Sequence, residues 1–176
     1  MGFGYCMRCP QCEKAIDLHF GTGTLYPHTY TETLKKACTG KLGETYKQFF
    51  KQHPHPDGAI SIDHIVLVCK KCGNIDNRPS HSIFIKLSNR PNRQKRQSLY
   101  SLLSGEPDPE YISHKELTED YKLYSTFPHK CSKCSADMST ISTEDFLNAD
   151  FTQPCHLLKC PDCKIELEYK EFINWD

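Results

Sequence analysis

The stretch that decides the fold opens with Cys131-Ser-Lys-Cys134 and closes, after 25 intervening residues, with Cys160-Pro-Asp-Cys163. Two residues between paired cysteines allow a tight turn to direct both sulfurs at one ion. Two such pairs complete a tetrahedral zinc site with Zn–S distances near ~2.3 Å. The same pattern occurs earlier as Cys9-Pro-Gln-Cys12 and Cys69-Lys-Lys-Cys72, with 56 residues between the pairs. We call these segments hooks 1 to 4 in chain order, and their spacing predicts two metal sites.

The order of the hooks along the chain predicts which of them share an ion. We expect hooks 1 and 2 to hold one ion and hooks 3 and 4 to hold the other. Zinc is favoured over iron, although tetrahedral sulfur suits both, because nothing in the sequence indicates an electron-transfer partner. Four thiolates leave no position open for water, so both sites are expected to be structural. The predicted ligands are Cys9, Cys12, Cys69 and Cys72 for the first Zn²⁺, and Cys131, Cys134, Cys160 and Cys163 for the second.

Length and cysteine usage limit the class of protein. The 176 residues suit one domain or two small ones, and in small units a hydrophobic core alone is marginal. A structural zinc site contributes roughly 10–16 kcal/mol and offsets that weakness. The sequence has no secretory signal pattern and no apolar run near the ~20 residues of a membrane helix. We therefore expect a cytoplasmic protein without a membrane partner, whose eleven cysteines favour metal thiolates over disulfides.

The residues between hooks 1 and 2 predict a strand and two helices. Residues 13–20 alternate apolar and polar side chains, which is the period of a half-buried strand. Pro27 suits the first turn of a helix that ends near Gly40. A second helix is expected over about 42–52, and the two helices form an insertion at about 27–53. The apolar positions are Tyr30, Leu34, Ala37 and Cys38 in the first helix and Tyr46, Phe49 and Phe50 in the second.

Strands and one short helix are expected around hooks 3 and 4. A strand through Met138 follows hook 3. The pattern Ser142-Thr-Glu-Asp145 predicts a short helix over 143–149, with acidic residues in its first turn. A closing strand begins near Ile165, where apolar and charged residues alternate, and Trp175 is expected to pack on that sheet.

The hooks resemble those of the zinc-ribbon, or rubredoxin-like, superfamily. The matching segments are Cys9-Pro-Gln-Cys12, Cys69-Lys-Lys-Cys72-Gly73, Cys131-Ser-Lys-Cys134 and Cys160-Pro-Asp-Cys163. In that superfamily each hook sits on a β-turn, and the metal pins two hairpins together. The whole chain also resembles small bacterial proteins that carry two zinc ribbons. The resemblance implies structural metal sites but no particular partner, because ribbon proteins bind DNA, RNA or protein, or serve only as structure.

These elements predict a small, zinc-stabilised α+β fold with two zinc-ribbon units, the first of which carries the two-helix insertion. We expect the first ribbon over residues 1–88, a connector over 89–123 and the second ribbon over 124–176. In the first ribbon, residues 60–68 are β-rich and lead into hook 2, and residues 81–88 alternate as a further strand of the same sheet. The composition changes from basic to acidic inside the connector, which is typical of a domain boundary.

The net charge is formally zero, but the charges are unevenly distributed along the chain. Residues 1–103 contain 15 Lys and Arg against 7 Asp and Glu, a net +8, and residues 104–176 contain 7 against 15, a net −8. One interpretation is that the basic half binds a polyanion. The other is that the two oppositely charged halves attract each other. The candidate nucleic-acid contacts are Arg90, Arg93, Lys95 and Arg96, for which a solvated linker is the other interpretation.

Three cysteines lie outside the hooks. Cys38 falls on the apolar stripe of the first predicted helix and is expected in the core, since free cysteine packs as a small hydrophobe. Cys6 and Cys155 lie near hooks in the sequence. They are either spare thiols or cysteines that exchange with metal ligands or sense oxidation. No cysteine can be argued as a nucleophile, because the sequence places no base beside it.

Three functions remain open, and one of them depends on His64. The tripeptide Asp63-His64-Ile65 is similar to the motif of HNH-like nucleases, in which a His activates water beside a divalent ion. The loop and Asn expected before the second cysteine pair are missing, so an exposed His on a strand is the simpler interpretation. We favour a non-enzymatic zinc-binding adaptor or regulatory protein that acts through protein–protein interaction. Nucleic-acid binding through the basic half is the alternative, and an HNH-like metal nuclease is the second alternative.

Overall fold

The computed structural model describes residues 2–23, 26–87, 111–148 and 154–175. The chain forms two compact units, and each is assembled from separate stretches of sequence. Unit 1 contains both ends of the chain, whereas unit 2 is built from the two stretches that leave unit 1 and return to it. Unit 1 comprises Met1–Thr24, Asp63–Ser80 and Pro128–Asp176, and unit 2 comprises Leu25–Ile62 and His81–Phe127.

Antiparallel strands and short helices make up the regular structure of the described residues. The strands are β1 (Gly2–Arg8), β2 (Ala15–Phe20), β3 (Gly58–Ile60), β4 (His64–Cys69), β5 (Ile75–Pro79), β6 (Ile83–Lys86), β7 (Tyr121–Ser125), β8 (Met138–Ile141), β9 (Cys155–Lys159) and β10 (Glu166–Trp175). The helices are α1 (Tyr26–Cys38), α2 (Glu44–Gln52), α3 (His114–Asp120) and α4 (Thr143–Leu147). The predicted α+β class is therefore confirmed. In the described part of the chain, no helix is both long and apolar enough to cross a bilayer.

The division into units does not follow the expected ranges 1–88, 89–123 and 124–176. Residues of both predicted ribbons lie in unit 1, and the predicted connector falls within unit 2. The reason is strand pairing between distant parts of the sequence, because the first strand of the chain pairs with the last. A compact unit formed in this way cannot be a continuous range.

Unit 1 contains two sheets, with strand orders β2-β1-β10-β9 and β5-β4-β8. In the first sheet, β1 pairs antiparallel with β10, so Gly2 lies opposite Trp175. Trp175 packs on this sheet as predicted. Its indole Nε1–H donates to the carbonyl oxygens of Phe3 at 3.1 Å and Phe20 at 3.3 Å. The two ends of the chain are thereby fixed side by side.

The core of unit 1 is formed by the inner faces of these strands and by one side chain of α4. The predicted alternation in the strand after hook 1 is confirmed: Leu18 and Phe20 are buried, whereas Asp17 is exposed. The first cysteines of hooks 1 and 4 belong to the same core, so the core and the metal ligands are continuous. Side chains with almost no exposure are Met7, Leu18, Phe20, Val66, Phe146, Leu158 and Leu167.

Asn77 connects the two sheets of unit 1. Its side-chain amide pairs with the backbone of His19 as a neighbouring strand would: the Oδ1 atom accepts from the His19 N–H at 2.8 Å, and Nδ2 donates to the His19 carbonyl at 2.8 Å. Nδ2 also donates to the carbonyl of Ile65 at 2.9 Å. A β-bridge between Gly21 and His64 continues the same junction.

Unit 2 packs α1, α2 and α3 with the sheet β3-β6-β7 around a second core. Both helices predicted between hooks 1 and 2 are present. Helix α2 begins at Glu44 rather than near residue 42, because Gly43 has a φ of 116°, outside the helical range. The buried core residues are Tyr30, Ala37, Tyr46, Phe49, Phe50, Ala59, Ile60, Ile62, Ile83, Ile112 and Leu117.

Two features of unit 2 differ from the predictions. Strand β6 does not join the sheet that leads into hook 2; it pairs with β3 and β7, while β4 carries hook 2 in unit 1. Helix α3 was not predicted, although its start has a capping box. The Ser113 side chain accepts from the Glu116 N–H, and the Glu116 carboxylate accepts from the Ser113 N–H at 2.8 Å.

Candidate metal centres

All eight cysteines predicted as ligands fall into two groups of four, and each group can hold a metal ion. The predicted pairing of hooks is wrong. Hook 1 meets hook 4, and hook 2 meets hook 3, so the hooks are nested. We call the two groups the outer centre (Cys9, Cys12, Cys160 and Cys163) and the inner centre (Cys69, Cys72, Cys131 and Cys134). Both centres lie in unit 1.

The strand pairings explain the nesting. Hook 1 follows β1 and hook 4 precedes β10, and because these strands are paired antiparallel, the two hooks meet at the same end of the sheet. Hook 2 ends β4 and hook 3 precedes β8, and this pair is also antiparallel, with Cys69 opposite Met138. Strand register therefore decides which sulfurs converge. The separation between hooks in the sequence does not.

The sulfur geometry of both centres fits a tetrahedral ion. The four Sγ atoms of each centre lie within 4.8 Å of one another. Individual Sγ–Sγ distances are 3.7 Å between Cys12 and Cys160 and 3.5 Å between Cys69 and Cys134. Four sulfurs held ~2.3 Å from one tetrahedral ion are about 3.8 Å apart, close to these values. A disulfide would bring two sulfurs to ~2.05 Å, so the geometry is that of ligands.

All four hooks share one backbone conformation. The N–H of the first cysteine donates to the carbonyl five residues later, at 2.7–3.0 Å, and the N–H of the residue four positions on donates back to the first cysteine. This donating residue comes directly after the second cysteine of the hook, and its φ is always positive: 61° at Glu13, 74° at Gly73, 57° at Ser135 and 63° at Lys164. Only hook 2 places glycine there, so this signal could identify one hook of the four from sequence.

Backbone N–H groups favour the thiolate form of the first cysteine in hooks 1 and 2. The N–H of Cys72 lowers the pKa of Cys69 to about 6, and the N–H of Cys12 lowers the pKa of Cys9 to about 7. The neighbouring Cys12 sulfur raises the pKa of Cys163 to about 12. Cys9 and Cys69 thus ionise readily, whereas the raised pKa of Cys163 means that this sulfur needs a cation to do so. This donor set suits zinc or iron.

The two centres differ in how their lysines are paired. In the outer centre, Lys14 Nζ forms an ion pair with Asp162 Oδ2 at 2.8 Å, which joins hooks 1 and 4. In the inner centre, Lys70, Lys71 and Lys133 are exposed, and within the described residues none of them lies within 4.0 Å of a carboxylate. Sequence reasoning missed Lys14 because its partner is 148 residues away.

The remaining cysteines lie outside both centres. Cys6 and Cys155 are buried, and burial raises the pKa of each thiol. Cys38 was expected in the core but is exposed. Ala37 takes the buried position at this end of α1, and the next residue along a helix is turned by about 100°, away from that face.

His64 is half-buried rather than exposed, and its ring meets the Trp175 ring edge-on at a centroid distance of 4.7 Å. Burial lowers its pKa. Among the described residues, the groups of His, Cys, Asp and Glu that can hold a metal are the two cysteine centres, and His64 belongs to neither. The candidate nucleic-acid contacts Arg90, Arg93, Lys95 and Arg96 lie outside the described residues.

Comparisons with known proteins give no relative for this chain: no protein-family model, no curated protein and no solved structure matches it. The two metal centres are therefore identified by the convergence of eight sulfurs and by the repeated conformation of the hooks.

Proposed function

We propose that the chain is a non-enzymatic, zinc-stabilised adaptor that acts through protein–protein interaction. Four protein sulfurs complete a tetrahedral coordination shell, so neither centre has a position for a reacting water. Zinc is proposed over iron because zinc needs no redox partner. A cytoplasmic location is part of the proposal, since thiolate ligands require a reducing compartment.

The observation that carries this proposal is an exposed apolar strand in unit 2. Leu123 and Tyr124 of β7 are 51% and 53% exposed, and Leu87 is 41% exposed. Among the described residues, strand β7 pairs with β6 alone, which makes it the outer strand of the sheet β3-β6-β7. Sheet edges with apolar side chains bind extended segments of other proteins by strand addition.

The test is a partner-binding experiment with a matched control. Leu123→Arg places a charge on the exposed strand, and Leu147→Arg makes the same change on α4 of unit 1, where Leu147 is also 51% exposed. A partner found by proximity labelling and then purified should bind the wild type and Leu147→Arg proteins equally. Its affinity for the Leu123→Arg protein should fall at least roughly tenfold, as expected for a central apolar contact. Equal binding by both variants would contradict an interface on β7.

Nucleic-acid binding is the second candidate, and the exposed lysines of the inner centre favour it. Lys70, Lys71 and Lys133 occupy the two hooks that meet there. The charge of the chain halves no longer argues for it, because the halves are not compact units. Unit 1 has 10 Lys and Arg against 13 Asp and Glu, a net −3, and unit 2 has 12 against 9, a net +3.

Salt dependence tests this second candidate. If the three lysines contact phosphates, replacing all of them with alanine should reduce the slope of log K against log salt by about 2–3 on duplex DNA. The matched variant replaces Arg93, Lys95 and Arg96 and reports on the basic run. Absent or salt-insensitive binding by the wild type protein would remove the candidate.

A further inference from the structure

Lys164 follows directly after the last ligand of the outer centre, yet its side chain reaches the inner centre. Its Nζ donates to the carbonyl oxygen of Cys72, a ligand of the inner centre, at 2.8 Å. The same Nζ donates to the carbonyl of Pro161, inside hook 4 of the outer centre, at 2.6 Å. One ammonium group therefore holds together a hook from each centre, across 92 residues of sequence.

The backbone around this contact accommodates the lysine on both sides. Gly73, next to Cys72, has a φ of 74°, and a Cβ added there would lie 3.1 Å from the Lys164 Nζ. A side chain at residue 73 would thus crowd the ammonium. Lys164 itself has a φ of 63°, in the left-handed region that residues with a Cβ rarely adopt.

The negative charge of the metal-loaded centres would stabilise the Lys164 ammonium at this position. Four thiolates around one divalent ion would carry a net charge of −2, and the Lys164 ammonium contacts the backbone of one hook from each of the two centres. A cation between them is attracted to each and reduces their mutual repulsion. Lys164 belongs to the turn of hook 4, where its N–H donates to the Cys160 carbonyl at 2.9 Å, so an ion that stabilises hook 4 would also hold Lys164 in place.

We infer that Lys164 is a positioning residue that couples metal binding at the two centres. An ion at the outer centre fixes hook 4 and places the Lys164 ammonium on Cys72, which favours the conformation of hook 2 that binds the inner ion. By linkage the inner ion favours the outer one to the same extent. The pair of centres is therefore filled as a unit.

The test follows metal loading of the full chain. The apo protein, kept reduced, is titrated with Zn²⁺ buffered by a competing chelator, and native mass spectrometry counts the apo, one-metal and two-metal forms. For given affinities of the two separate centres, the ratio [apo][two-metal]/[one-metal]² rises in proportion to the coupling between them. For Lys164→Met we expect this ratio to fall at least roughly fivefold, the lower range of couplings between binding sites. Lys159→Met removes an exposed lysine that is equally close in sequence to a ligand, and its ratio should stay at the wild type value.

Two further variants distinguish the effect of the Lys164 charge from the effect of changing a backbone position with positive φ. Lys164→Arg retains a cation and should keep most of the coupling. Ser135→Gly changes the equivalent backbone position of hook 3 without touching the contact, so its ratio should not fall. A wild type ratio in Lys164→Met would overturn the inference. A loss in Lys164→Arg as large as in Lys164→Met would also overturn it, because the ammonium charge would then not be the cause.

Discussion

Unit 1 gathers eight cysteine sulfurs around two points, whereas unit 2 gathers aromatic and aliphatic side chains around one apolar core. Unit 1 is assembled from three separate stretches of chain, and each centre joins hooks from two different stretches. In the described residues, unit 2 contains no group of side chains that can hold a metal. The two units should therefore respond to different perturbations: metal removal should act on unit 1, and core truncation should act on unit 2.

The largest effect should come from metal removal. A structural zinc site is worth roughly 10–16 kcal/mol, so stripping both ions with a strong chelator should unfold unit 1. Hydrogen exchange followed by mass spectrometry should show β1, β4, β8 and β10 losing protection while α1, α2 and β3 keep theirs. Adding Zn²⁺ back should restore the pattern. Simultaneous loss of protection in both units would contradict a dependence on metal that is confined to unit 1.

Core truncation in unit 2 should have the opposite pattern. Phe49 is only 3% exposed, and its ring packs against Phe50 at a centroid distance of 5.0 Å. Phe49→Ala should lower the free energy of unfolding of unit 2 by about 3–5 kcal/mol, since it deletes a buried ring and leaves a cavity. Native mass spectrometry should still find two ions bound. Loss of an ion from this variant would mean that the centres depend on the core of unit 2.

A smaller effect is expected at the junction inside unit 1. Asn77→Ala removes three hydrogen bonds to backbone groups and should destabilise unit 1 by about 2–3 kcal/mol. Asn174→Ala, at an exposed position of β10, should change stability by less than about 0.5 kcal/mol. Chemical denaturation of the zinc-loaded proteins measures both values. Equal values for the two variants would mean that the side-chain pairing of Asn77 does not hold the sheets together.

The smallest effect concerns the positive φ positions of the hooks. Ser135→Gly relieves the left-handed conformation of hook 3 but adds flexibility to the unfolded chain. The net result should be a stabilisation of about 0.5 kcal/mol. Gly73→Ala is the reverse change in hook 2 and should destabilise unit 1. A stabilising Gly73→Ala would contradict the shared conformation of the hooks.

Local features could be predicted from the sequence because their causes are local. The Cys-x-x-Cys spacing predicts the eight ligand sulfurs. The apolar stripe between Pro27 and Gly40 predicts the first helix. Strand β1 was missed because its residues do not alternate. It lies between β2 and β10, and Gly4, Tyr5, Cys6 and Met7 are all buried.

Which hooks share an ion could not be predicted, because it depends on a pairing between the two ends of the chain. The sequence of β1 contains no signal that predicts its pairing with β10. A consecutive pairing of the hooks is equally compatible with the Cys-x-x-Cys spacing. The contacts of Lys164 and Asn77 have the same origin. Each joins residues that only the folded register brings together.

The number of ions retained after removing two hooks tests the nested arrangement most directly. One variant changes the cysteines of hooks 1 and 4 to serine (Cys9, Cys12, Cys160 and Cys163), and the other changes those of hooks 1 and 2 (Cys9, Cys12, Cys69 and Cys72). Native mass spectrometry of the reduced proteins in Zn²⁺ should find one tightly bound ion in the first variant and none in the second. One ion in the second variant and none in the first would contradict the nested centres and restore the consecutive pairing.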